Sequence, residues 1–111
     1  GLRLLLEREG GFQIVGEATN GRDALQLAAQ HSPEAVVLDY SMPELNGIDA
    51  ARALRDDGFV GGIVMLSSHE AWQRVNDALA AGVDGYVLKE HAFAQLRSAL
   101  QAALRRERFP S

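Results

Sequence analysis

Short apolar runs of strand length alternate along the chain with longer stretches whose apolar residues recur every three or four positions, and glycine, asparagine or aspartate separates them. An unbroken apolar run or a period of two marks a strand, and a period near 3.6 marks a helix buried along one stripe. The alternation predicts an α/β domain with a parallel sheet. The chain opens on helical spacing at Leu2, Leu5 and Leu6, ended by Gly10 and Gly11, and Gln13 to Ala18 follows as a strand. Asn20 is placed to cap a second helix reaching about His31, which Pro33 helps to stop. Ala35 to Leu38 is a continuous apolar run ending on Asp39, the pattern of a strand covered by helices on both faces. Leu45, Ile48, Ala51 and Leu54 give a third helix up to Gly58, and Ile63 to Leu66 gives a buried strand ending on Ser67 and Ser68. Trp72, Val75 and Leu79 mark a helix stopped by Gly82, and Gly85 to Leu88 is the last strand, ending on Lys89. Phe93, Leu96, Leu100 and Ala103 set the closing helix, with Arg97, Arg105 and Arg106 on its solvent side and Pro110 beyond it. The tally is five helices and four strands in a chain that begins with a helix, whereas a βα chain normally begins with a strand.

Composition narrows the function classes. The chain has 111 residues, the size of one small domain, and its 47% hydrophobic and 23% charged residues are those of an ordinary packed protein. Fifteen acids against eleven bases leave a net charge of −4 with the bases scattered, so the electrostatic footprint of a nucleic-acid binder is missing. The absence of cysteine excludes a disulfide scaffold and thiol chemistry, and suits a reducing compartment, read here as the cytoplasm. The longest apolar run is far short of the roughly 18 residues a membrane span needs, so no membrane partner is expected. Ten of the eleven bases are arginine, leaving Lys89 as the only lysine, and the first residue is Gly1 instead of Met, which suggests a piece of a longer chain.

In open parallel sheets, ligands bind beyond the carboxyl ends of the strands. Three of the four strands end in a carboxylate, a hydroxyl and the only ammonium: Asp39, Ser67 and Lys89. Taken singly, Asp39 reads equally as an acid capping the next turn, Ser67 and Ser68 as caps of a helix starting near His69, and Lys89 as surface charge. Together they are expected to share one site. Lysine is a compact point charge where arginine is a planar fork, which suits a phosphoryl oxygen or carboxylate in a tight pocket. A carboxylate nucleophile beside a hydroxyl and a cation fits transient phosphorylation of an aspartate, a reaction that depends on charge neutralisation and positioning more than on acid–base catalysis. Mg²⁺, with its preference for carboxylate, carbonyl, water and phosphate oxygens, would complete the neutralisation and requires further acids near Asp39.

The segments VVLDYSMPELNG (Val36 to Gly47), IVMLSSH (Ile63 to His69) and AAGVDGYVLKE (Ala80 to Glu90), supported by EATNGRDAL (Glu17 to Leu25), resemble the receiver domain of two-component response regulators of the NarL/FixJ type. The likeness runs from Leu2 to about Leu104. It implies a flavodoxin-like three-layer sandwich with a parallel sheet, four of its usual five strands present, over residues 1–104, with 105–111 as the start of a linker or tail. It implies that Asp39 is the phospho-acceptor, Ser67 the hydroxyl position, Lys89 the phosphoryl contact and Tyr86 the switch aromatic. A tyrosine on a strand is more often plain core or edge packing, so the switching role of Tyr86 rests on the resemblance alone. The resemblance further implies that the Ser41 backbone carbonyl ligates Mg²⁺, that Ser41 and His69 tune how long the phosphate lasts, and that Met42, Pro43 and Gly47 form the loop beneath the site. Glu90 stands where many receivers have proline. The first strand of the family, which ends in the acidic pair that holds Mg²⁺ and lies centrally between the strand at Gln13 and that ending at Asp39, has no counterpart; Glu7 and Glu9 lie on a helix. The chain is therefore expected to be an excerpt whose first 10 to 20 or so residues are missing, disordered or exchanged, since two buried edges with unpaired backbone groups would cost roughly 1 to 3 kcal/mol per group.

The expected function is a phosphorylation-controlled switch, not an enzyme beyond its own phosphorylation and dephosphorylation. Its partners would be a sensor histidine kinase and a second copy in a homodimer, with DNA reached only through a C-terminal helix-turn-helix domain outside the chain. The rival is a degenerate receiver, an interaction module that is not phosphorylated. An aspartyl phosphatase would carry a second acid two residues after the nucleophile, where Ser41 stands, and neither G-x-G-x-x-G nor a P-loop supports nucleotide binding.

Overall fold

In the computed structural model the described residues are 6–8, 11–41, 44–68 and 73–110. Helix α1 (Gly21–His31) starts where Asn20 accepts the Asp23 amide and ends at Ser32 in the left-handed conformation. Strand β1 (Ala35–Asp39) follows, then α2 (Gly47–Asp56), capped by Asn46 on the Asp49 amide, then β2 (Gly62–Ser67). Helix α3 (Val75–Ala80) leads through Gly82, at φ +100°, to β3 (Gly85–Leu88). A 3₁₀ turn, Lys89–His91, enters α4 (Ala92–Leu104). A helical turn at 6–8 precedes all of these. Leu2, Leu5, Gly10 and Trp72, used above to place helices, lie outside the described residues.

The three strands run parallel in the order β1-β2-β3, with Asp39 opposite Leu66 and Ser67 opposite Leu88. Period-two alternation splits the core into two layers. Val36, Leu38, Ile63, Met65 and Tyr86 face α1, α2 and α3, packing with Ala28, Ile48, Ala51, Leu54 and Ala78. Val37, Val64, Leu66 and Val87 face α4, packing with Leu96, Ala99, Leu100 and Ala103 and with Leu6. All six residues of β2 are buried, which is why its sequence reads as an unbroken apolar run. Each such aliphatic side chain contributes about 1.5–3 kcal/mol of transfer free energy.

Two expectations are corrected. Gln13 to Ala18 is not a strand, and the sheet among the described residues has three strands instead of four. Phe12 and Ile14 do pack on the α4-side core, and the Phe12 amide donates to the Leu6 carbonyl at 3.0 Å. The alternation there reports burial of side chains, whereas a strand also requires a neighbour to take its backbone groups, and no described strand lies alongside. Phe93 is 67% exposed and is not part of the buried stripe. Ala92 takes that face instead, because Ala92, Leu96, Ala99, Leu100 and Ala103 repeat at helical spacing and Phe93 lies a further 100° or so around the helix.

Residues 105–110, expected as a tail or the start of a linker, turn back onto the sheet. Arg106 adopts φ 55°, the Phe109 amide donates to the Asp84 carbonyl at 3.0 Å, and the Tyr86 amide donates to the Phe109 carbonyl at 2.9 Å. Gly85 and Phe109 thus form a single parallel bridge on the outer edge of β3.

Candidate functional site

Each strand delivers its last residues to the same end of the sheet because the three are parallel and nearly in register. Asp39 closes β1 with its side chain 40% exposed. Its Oδ1 accepts the Ser41 amide at 2.9 Å, and its Oδ2 meets Lys89 Nζ at 2.8 Å. Lys89 begins the 3₁₀ turn after β3 and is 46% exposed, so the pair stands at the rim of the sheet in contact with solvent. The tight chain path after Asp39 depends on Gly47: a Cβ there would stand 2.8 Å from the Asp39 carbonyl oxygen and 2.5 Å from Met65 Sδ. The Gly47 amide donates to the Tyr40 carbonyl at 3.0 Å, and the Tyr40 amide to the Leu66 carbonyl at 2.8 Å, which tie the loop beneath the carboxylate to the sheet.

Ser67 is fully buried and turns its hydroxyl elsewhere. Its Oγ donates to the Ser68 carbonyl at 3.1 Å and accepts the Tyr86 hydroxyl at 2.9 Å. Tyr86 is 1% exposed, its ring inside the layer of core beneath α2 and α3. Burial pushes its phenol above the ordinary value, and the hydrogen bond to Ser67 pulls it back by less. The structure therefore brings Asp39 and Lys89 together directly and joins Ser67 to Tyr86 as a second, buried pair. Ser41 is placed by its amide on Asp39. His69, expected as a modulating residue, lies outside the described residues, as do Met42 and Pro43.

The Ser67–Tyr86 bond was not anticipated, although the strand periods carry its signal. Met65 and Tyr86 are register partners, which puts Tyr86 and Ser67 on the same side of neighbouring strands. Asp84 was also passed over. It is nearly buried, accepts Arg55 at 3.0 Å and the Ile63 amide at 3.0 Å through one oxygen, and accepts Arg106 at 3.0 Å through the other. Arg55 also donates to the Gly82, Phe59 and Gly61 carbonyls. Arg106 is thus folded back onto the sheet and is not simply a solvent-side charge. This cluster lies at the opposite end of β3 from Lys89 and is structural.

The resemblance implies Mg²⁺ beside Asp39. Among the described residues Asp39 is the one carboxylate that closes a strand, and no group of three acidic, histidine or cysteine side chains fit for a metal occurs there. The Asp39 carboxylate and the Ser41 backbone supply at most part of an octahedral shell, so the described residues do not by themselves make a Mg²⁺ site. Among the described residues no helix is long and apolar enough to cross a membrane.

Comparison with known proteins agrees with the geometry. The family model for the response regulator receiver domain matches residues 1–101. The nitrate/nitrite response regulator protein NarP of Escherichia coli is 36% identical over 92% of this chain and 47% of its own length. The signal receiver domain of a NarL response regulator from Mycobacterium tuberculosis superposes with a TM-score of 0.86 at 30% identity, covering 94% of this chain and 84% of that one. A LuxR-family two-component response regulator from Aurantimonas superposes at 0.87 with 33% identity, over 96% and 76%. The chain spans about half the length of the curated relatives it matches. With a family model over most of its length and the fold shared with solved relatives, the chain belongs to the response regulator receiver domain family of two-component systems.

Proposed function

We propose that Asp39 accepts a phosphoryl group from the phosphohistidine of a sensor kinase and that the product state is read by Lys89, Ser67 and Tyr86. The observation that supports this most is the 2.8 Å pair of Asp39 with the only lysine in the chain, at the rim of the sheet and open to solvent. In the transfer an Asp39 oxygen forms a bond to phosphorus, the phosphorus–nitrogen bond of the donor breaks, and the imidazole leaves. Lys89 is placed to neutralise charge on the incoming phosphoryl oxygens, exchanging one carboxylate contact for a doubly charged one. The added charge then competes for the Ser67 hydroxyl against Tyr86. Mg²⁺ belongs to the same reading, with Asp39 and the Ser41 carbonyl as the part of its shell that these residues furnish. Residues 1–104 carry the switch. Its output is a change in self-association and, through a DNA-binding domain outside this segment, in transcription; NarP and NarL themselves bear the name of response regulators.

Incubation of the full-length protein with Mg²⁺ and acetyl phosphate is expected to add the mass of one phosphoryl group, and Asp39→Asn to abolish the gain. No gain, or a gain that survives Asp39→Asn, refutes the proposal and leaves an interaction module that works without phosphate.

A further inference from the structure

We infer that residues 106–109 form a latch on the outer edge of β3, and that the Ser67–Tyr86 hydrogen bond sets how tightly it is held. The inference rests on the double role of Tyr86. Its main-chain amide donates to the Phe109 carbonyl at 2.9 Å, while its hydroxyl donates to Ser67 at 2.9 Å. One residue in a strand of four therefore joins the tail to the functional end of the sheet.

The latch has few attachments. Arg106 reverses the chain after α4 and bonds Asp84 at 3.0 Å and the Val60 carbonyl at 3.1 Å. The Phe109 amide bonds the Asp84 carbonyl, and the Phe109 ring rests against the core layer that contains Val87 and Leu100. The Arg106 and Glu107 amides donate to the Ala103 and Ala102 carbonyls at 2.9 Å, so the segment is tied firmly to the end of α4. Its hold on the β3 edge is one bridge, one partly buried ring and one half-exposed arginine, the kind of attachment at which small changes in a neighbour shift a population. Tyr86 is that neighbour. Its ring is buried and its hydroxyl is bonded to Ser67, so a change at Ser67 passes to the ring, to the strand backbone, or to both. The strand backbone is what holds Phe109. Any segment joined beyond Ser111 would be attached through this latch.

The further step, that phosphorylation opens the latch, rests on the function proposed above, so the test has two arms. In the first, amide hydrogen exchange is followed in the full-length protein and in Tyr86→Phe. The amides of residue 86 and Phe109 are expected to exchange about tenfold faster in the variant while those of Val64 and Met65 are unchanged, the signature of local opening. Ser67→Ala removes the same bond from the other side and is expected to reproduce the effect. Unchanged exchange at residues 86 and 109 in both variants, or acceleration shared equally by β2, overturns the latch. In the second arm, acetyl phosphate with Mg²⁺ is added and mass and exchange are read together. A phosphoryl gain with faster exchange at Phe109 is expected, and a gain without it refutes control of the latch by phosphate. Absence of any gain refutes the phosphorylation proposal instead, and the first arm still decides the latch.

Discussion

Tyr86 lies within β3 and Lys89 directly follows that strand, and the two differ in what they owe to the fold. The Lys89–Asp39 pair is close to half exposed on both sides, and an ion pair of that kind is worth about 0–1 kcal/mol. Lys89→Ala is therefore expected to change unfolding free energy by less than about 1 kcal/mol while strongly reducing the signalling response to phosphodonor. A denaturant titration beside a phosphorylation-dependent output assay checks both halves, and loss of the folded state in the variant contradicts the first. Tyr86 is embedded, and the sign of its pH dependence follows from burial. Its phenol is raised above the ordinary value near 10, by burial first, against a smaller opposite pull from the Ser67 hydrogen bond, with Tyr40 adding a lesser push upward. Above about pH 10 an unfolded chain releases this proton while the folded one retains it, so the phenol's contribution is whole below that pH and is lost as pH climbs through the raised value. Unfolding free energy measured from about pH 9 to about pH 11 is expected to fall more steeply in the parent than in Tyr86→Phe. Parallel slopes contradict the assignment.

At the level of elements, what was legible depended on whether the signal was local. Asn20 and Asn46 cap α1 and α2 through side-chain bonds to the residue three positions on, an interaction written entirely in neighbouring residues. The strands ending at Asp39, Ser67 and Lys89 were legible because burial on both faces leaves an apolar run, and with them the meeting of Asp39 and Lys89 at one end of the sheet. Gln13 to Ala18 was misread because alternation cannot say whether a pairing neighbour exists. Phe93 was misread because several helical stripes fit the same spacing and only the packing of Ala92 chooses among them. Asp84 was invisible as a hub because its partners, Arg55 and Arg106, are remote in sequence on opposite sides of it. The hub carries its own prediction. Removal of one partner from a buried pair costs about 3–5 kcal/mol because the other charge stays behind unpaired. Asp84→Ala, which strands Arg55 and the Ile63 amide, is expected near that range in thermal or denaturant unfolding. Arg106→Ala, at the half-exposed end, is expected to cost about 1 kcal/mol or less. Equal losses for the two variants contradict this ranking.

Across the whole molecule, stability is distributed unevenly around β2. That strand is buried at all six positions and bonded on both sides, to β1 over five register pairs and to β3 over four. In β1 only Leu38 is fully buried, and α3 is six residues long with a single fully buried side chain and no side-chain cap. The sheet end that carries Asp39 and Lys89 thus joins a buried middle strand to elements that cost little to move, Lys89 in a 3₁₀ turn and the tail on the β3 edge. Native-state amide exchange over a denaturant series is expected to show this directly. The amides of Val64, Met65 and Leu66 should exchange only through global unfolding, with the full denaturant slope, while those of α3 and Phe109 should exchange through small openings with a shallow slope. If the α3 and Phe109 amides instead share the slope and free energy of β2, the domain opens as one unit, and a switch that works by moving its periphery over a fixed centre is excluded.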